Sequence, residues 1–227
     1  MDIVRFALIR PELRGLWDGP AWMHADMLEL AHFRPEGSTH RPKTSVKLLY
    51  TAEGIFGIFR VEDRYVRCKH TRYGDPVYKD SCVEFFVKPK ADKGYFNFEF
   101  NCGGAFLCDY ITNPERTLKG FREFVPILEE EGRHIIVHHS LPGVVDPEIR
   151  DAITWTLEFF IPIVLLEKYV GEIGDVGGSE WKMNFYKCGD GTSHPHWASW
   201  QPVPRLNFHM PECFGIIRFA QREIRSD

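Results

Sequence analysis

At 227 residues, 44% hydrophobic and 26% charged, the chain is long enough to bury a substantial core and too balanced in composition for a disordered or fibrous protein. Its formal net charge of −4, with Lys and Arg scattered rather than clustered, offers no field for phosphates and so argues against nucleic acid as a partner. No apolar run approaches the roughly 20 residues that span a bilayer, and the opening MDIVRFALIRPELRG, broken by Arg5, Arg10 and Pro11, reads as neither membrane span nor signal segment.

The predicted elements are mostly strands. Residues 45–50 (SVKLLY) and 55–61 (IFGIFRV) are β-rich runs joined by a short loop ending in Gly54, the pattern of a hairpin. Residues 77–89 (VYKDSCVEFFVKP) read as one strand, with Ser81, Val83, Phe85 and Val87 on one side and Cys82, Glu84, Phe86 and Lys88 on the other. Residues 94–101 alternate Phe96, Phe98 and Phe100 against Asn97, Glu99 and Asn101, which predicts a half-buried strand with a polar face. Further strands are expected at 105–111, 133–138, 153–161, 180–187 and 214–219. Within the fourth of these, Trp181, Met183 and Phe185 alternate with Lys182, Asn184 and Tyr186. Only 164–170, behind Pro162, reads as a short helix. Many short strands and few helices predict two packed antiparallel sheets, and the absence of a linker, charge block or repeat predicts one domain over 1–227.

Three of these strands carry polar residues beside an apolar face: Glu84; Glu99 with Asn101; and Lys182 with Asn184. On one sheet they would make a platform of donors and acceptors suited to a hydroxyl-rich ligand such as a sugar, whose C–H faces rest on aromatic rings. The competing account is a solvated sheet face. Glu84, Glu99 and Glu158 also include candidates for the paired carboxylates of a glycoside hydrolase, a separation that sequence spacing does not reveal. His194, His196, His138 and His139 lack neighbouring Asp, Glu or Cys at zinc spacing and read as loop histidines. The six cysteines contain no CxxC pair and read as buried free thiols.

Taken in order, LWDGPAW, SVKLLYTAEGIFGIFRVED, VYKDSCVEFF, FNFEFNCGG, WTLEFFIPI, WKMNFYK, ASWQP and NFHMPECFGIIRF resemble the family 9 carbohydrate-binding modules over most of the chain. The resemblance implies an all-β fold, an antiparallel β-sandwich, jelly-roll-like, with one or two short helices. It also implies a non-catalytic module that binds mono- or oligosaccharides beside xylanases or other glycoside hydrolases, in a family usually secreted. Carried over residue by residue, it puts ring platforms at Tyr78 and Phe208, a strand carboxylate at Glu84 and a strand amide at Asn101, with Lys182 and Asn184 on a strand that also lines the site. The best-understood members use tryptophan at both platforms and arginine where this chain has Glu99, which implies a different hydrogen-bond preference.

The expected function is therefore sugar binding, one saccharide unit held between Tyr78 and Phe208 with its hydroxyls gripped by Glu84, Glu99, Asn101 and Asn184. Alternatives are a glycoside hydrolase, a protein-interaction sandwich, or one that binds haem through His or Met. Members of the family often hold structural calcium, and Asp63, Asp75 and Asp80 lie in loops of suitable composition. Six to eight oxygens do not assemble from the sequence around them, so no metal or other cofactor is expected.

Overall fold

Alternation of side chains decides where each strand sits. The computed structural model describes residues 2–118 and 120–222, and within them sixteen strands and two short helices form. In chain order these are β1 (Asp2–Phe6), β2 (Met27–Glu29), β3 (His32–Phe33), β4 (Lys43–Tyr50), β5 (Gly54–Asp63), β6 (Val66–Cys68), β7 (Cys82–Lys88), β8 (Tyr95–Asn101), β9 (Phe106–Thr117), β10 (Gly120–Pro126), α1 (Glu129–Gly132), β11 (Ile136–His139), β12 (Val145–Ile149), β13 (Ile153–Pro162), α2 (Ile163–Val170), β14 (Glu180–Cys188), β15 (Trp197–Ser199) and β16 (Gly215–Phe219). None of these helices is long and apolar enough to cross a membrane.

The strands make a β-sandwich. One sheet runs β10-β9-β8-β7-β14-β16, the other β4-β5-β13-β11, and β1 joins them. Its first half, Asp2 to Val4, lies parallel to Ile217 to Phe219 of β16; its second half, Arg5 and Phe6, lies parallel to Leu49 and Tyr50 of β4. A single strand thus passes from one layer to the other. The remaining pairings within the two sheets are antiparallel.

Between the layers lies an aromatic core. The Phe85 ring of β7 stands 5.3 Å from Phe185 of β14, 6.1 Å from Phe98 of β8 and 5.6 Å from Phe159 of β13, so the last contact bridges the two sheets. Each such ring, withdrawn from water, contributes roughly 1.5–3 kcal/mol. Gly57 of β5 is the register partner of Phe159, and a Cβ there would stand 2.2 Å from that ring. Glycine is therefore needed for the ring to lie flat across the strand.

A second apolar cluster forms on the outer face of the first sheet, where Cys82, Phe86, Tyr95 and Tyr186 meet Val203, Phe208 and Phe214 from the final loop. That loop covers part of the sheet and leaves the rest as the wall of a cleft.

Two expected boundaries are corrected. The run 77–89 is not one strand: Val77–Lys79 is a 3-10 turn and the strand starts at Cys82. Pro76 opens the turn, and the Asp80 carboxylate accepts N–H bonds from Lys69 (3.0 Å) and His70 (2.9 Å), which anchors the chain there rather than letting it run straight. The expected strand 133–138 starts only at Ile136, because Glu129 to Glu131 begin a helical turn that Arg133 N–H closes onto the Glu129 carbonyl at 2.9 Å. Acidic residues at a helix start suit its partial positive charge.

Candidate functional site

Register brings the polar side chains together. On the outer face of the first sheet, Glu84 of β7 stands opposite Glu99 of β8 and opposite Tyr186 of β14, while Glu99 stands opposite Leu107 of β9. One step along the same face, about 7 Å away at two residues per step, Asn97 stands opposite Asp109. Of these, Glu84, Glu99, Leu107, Asn97 and Asp109 floor a cleft of about 570 Å³. Its rim comes from elsewhere: Tyr78 on the 3-10 turn, Arg116 and Phe121 on the β9–β10 hairpin, Asp190 and Trp197 beyond β14, and Leu206 to His209 in the last loop.

The rim is held by specific bonds. Trp197 Nε1 donates to Asp190 Oδ1 at 2.6 Å, Tyr186 Oη donates to the Phe208 carbonyl at 3.0 Å, and the Phe208 ring stacks on Tyr186 with centroids 4.0 Å apart. Tyr95 Oη and His209 Nδ1 lie 3.0 Å apart, and the Asn207 side chain accepts the His209 N–H at 3.1 Å. Tyr78, 37% exposed, offers its ring at the edge, whereas Phe208, 8% exposed, shows only part of its own.

The floor is electrostatically unusual. Glu84 and Glu99 are 3% and 5% exposed. Burial, with the neighbouring Glu99 charge, pushes the Glu84 carboxyl well above the usual carboxylate range. Burial likewise raises Glu99 to about 7, with Asp109 and Asp190 raising it further against the Asn97 hydrogen bond and the Arg116 charge. Asp109 rises to about 6, again through burial, and Asp190 is raised by burial against its bond from Trp197. Glu99 Oε1 accepts from Asn97 Nδ2 at 2.9 Å, and Glu84 Oε1 accepts the weak Cys188 thiol donor at 3.0 Å. Such a floor can offer or accept protons in hydrogen bonds to a hydroxyl-rich ligand.

Four of the expected site residues, Tyr78, Glu84, Glu99 and Phe208, thus line one cleft. Three do not. Asn101 is fully buried: its Nδ2 donates to the His70 carbonyl (2.7 Å) and Asp80 (3.0 Å), and its Oδ1 accepts from Gly103 and Ala105, so the amide is spent on holding a turn. Asn184 exchanges bonds with the Gln201 backbone at 3.1 and 2.9 Å and fixes the loop after β15. Lys182 is exposed and stands four residues from Tyr186, some 13 Å along the strand. Alternation put all three on the right face; it did not show which end of the face is open.

The remaining lining residues were not singled out from sequence. Asn97 shares the alternation that marked Glu99, so the signal was present. Asp109 lies on the partner strand β9, Asp190 in a loop and Trp197 at the start of the three-residue β15, where no periodicity marks them.

Other candidate clusters resolve as structure. Glu158 accepts from Trp22 Nε1 (3.0 Å) and the Gly15 N–H (2.7 Å) on the opposite sheet, far from Glu84 in the fold. The one group with metal-ligating geometry among the described residues is His40, Asp63 and His196. The Lys187 ammonium, 2.8 Å from His196 Nε2 and 3.4 Å from Asp63 Oδ2, already supplies a cation there. Asp75 and Asp80 accept backbone N–H groups, and Asp63, Asp75 and Asp80 do not gather into one group with metal-ligating geometry among the described residues. All six cysteines are free thiols, five of them buried.

Comparison with known proteins agrees with this architecture. No curated protein matches the chain. A protein from Bacteroides uniformis with a proposed carbohydrate-binding role superposes with a TM-score of 0.82 at 28% identity, covering 97% of this chain and 98% of its own. A family 9 carbohydrate-binding module from Caldicellulosiruptor kristjanssonii in complex with glucose gives 0.65 at 11% identity, covering 100% of both chains; one in complex with cellotriose gives 0.62 at 13%, covering 98% and 94%. The model of carbohydrate-binding family 9 matches residues 23–219. With that match over most of its length, the chain belongs to carbohydrate-binding family 9, a family of non-catalytic sugar-binding modules.

Proposed function

We propose that the cleft floored by Glu84 and Glu99 receives one saccharide unit, its C–H face against the Tyr78 ring with Phe208 closing the far wall, and its hydroxyls bonded to the two carboxyls. The observation that carries this reading is convergence: a 3-10 turn, two neighbouring strands and a loop near the C-terminus deliver Tyr78, Glu84, Glu99 and Phe208 to one cleft. Its volume suits a small ligand held on few polar groups. Trp197, half-buried on the rim, joins Tyr78 as a ring against which a sugar face can rest.

The glucose and cellotriose of the two Caldicellulosiruptor modules make gluco-configured sugars the first ligands to try, with xylan fragments next. A place beside a polysaccharide-degrading glycoside hydrolase follows from the same reading. Isothermal titration with glucose, cellotriose and xylo-oligosaccharides tests it. Tyr78→Ala and Glu84→Gln are each expected to weaken binding by about tenfold, the size of one lost stacking or hydrogen-bond contact. Binding unchanged in both variants would remove the site.

A further inference from the structure

The same cleft carries a charge imbalance that a neutral sugar leaves unanswered. Glu84, Glu99, Asp109 and Asp190 all line it, and Arg116 is the one guanidinium or ammonium among its described lining residues. Arg116 lies over the Phe121 ring, 3.9 Å from the centroid, on the rim rather than on the floor. His209, the other basic group, is buried against Phe121 and Phe86 and held neutral, its pKa lowered to about 3 by that burial.

The decisive atom is Glu99 Oε2. Asn97 fixes Oε1, the residue is 5% exposed, and Oε2 has no hydrogen-bond partner although it is buried. A buried carboxylate oxygen without a donor is an acceptor waiting for one. A sugar hydroxyl brings one donor; an ammonium brings three donors and a positive charge. We propose that the saccharide this cleft prefers carries a protonated amine, as a 2-amino-2-deoxyhexose does, with the ammonium received by Glu99 Oε2 beside Asp109. This rests on the reading of the cleft as a sugar site. An N-acetylated sugar of the same ring replaces the ammonium with an amide, losing the charge and two donors and bringing a carbonyl acceptor toward carboxylates, so the site discriminates against it.

Titration calorimetry on the full chain at neutral pH and low salt, with glucosamine, glucose, N-acetylglucosamine and calcium chloride as separate titrants, tests this. Glucosamine is expected to bind at least about tenfold more tightly than glucose, and N-acetylglucosamine no more tightly than glucose. In Glu99→Gln the glucosamine advantage falls to within about threefold, and raised salt narrows it in the wild type. Asp109→Asn, expected to narrow it less, serves as the second variant should Glu99→Gln fail to fold. Glucose binding as tightly as glucosamine would overturn the amine preference and leave the sugar site standing. No binding of any saccharide would overturn both, and calcium displacing glucosamine would assign the carboxylates to a metal instead.

Discussion

At the scale of single residues, the protein spends stability on two buried charge arrangements. Glu99 takes up its proton near pH 7 in the folded chain, because burial penalises its charge. In the unfolded chain it does so near the usual value of about 4.3. Between those values the folded state holds the extra proton, so this residue's contribution to stability is present below the lower value and is lost as pH rises through the upper one. Asp109 and Asp190 add to the effect of burial, and Asn97 and Arg116 oppose it. Glu99→Gln, always neutral, is therefore expected to be more stable than the wild type at pH 8, by more than about 1 kcal/mol, and equal to it near pH 3, below the unfolded value. Denaturant unfolding at the two pH values checks this; a constant difference contradicts it. Lys187 poses the opposite case. It is fully buried, donates to the Cys188 carbonyl at 2.9 Å and pairs with Asp63, which also receives Trp155 Nε1 at 3.3 Å. Lys187→Met leaves that carboxylate without its cation and is expected to cost about 3–5 kcal/mol, with part of it recovered in the double variant Asp63→Asn, Lys187→Met.

At the scale of elements, the packed face of β7 and β8 governs stability and the opposite face carries the proposed binding cleft. Removing the ring that bridges the layers, Phe85→Ala, is expected to cost about 3–5 kcal/mol. Gly57→Ala puts a methyl group into the Phe159 ring, which cannot retreat without leaving its stacks on Phe85 and Phe100, 5.6 and 5.2 Å away, and about 1–3 kcal/mol is expected from that strain. Urea midpoints of the two variants measure both. This division of faces was legible in the sequence, since Phe96, Phe98 and Phe100 against Asn97, Glu99 and Asn101 state it directly. What alternation does not carry is register. Asn101 and Glu99 share a face, yet one stands opposite Cys82 beneath a turn and the other opposite Glu84 in the open cleft. Short edge pairings such as β6 with β12 and β3 with β15 have too few residues to alternate, and they escaped notice for that reason. Asp190 and Trp197 reach the rim through a loop whose path depends on β15 docking against β14, a long-range event with no local trace.

At the scale of the whole molecule, β1 ties the layers into one body by pairing with each in turn. One continuous core spans both sheets, and a single cooperative unfolding transition is expected for the chain. The cleft lies outside that core, on a sheet whose opposite side is locked by aromatic packing, so the floor is rigid while the rim loops are free to specialise. That separation of the supporting core from the proposed recognition surface lets rings and charges around the cleft change without disturbing the sandwich. A crystal structure of the protein soaked with glucosamine or glucose tests the central claim most directly. One sugar ring is expected in the cleft, in contact with Tyr78 and with a heteroatom about 3 Å from a carboxyl oxygen of Glu84 or Glu99. A sugar seated on any other surface, with this cleft holding only solvent, would contradict it.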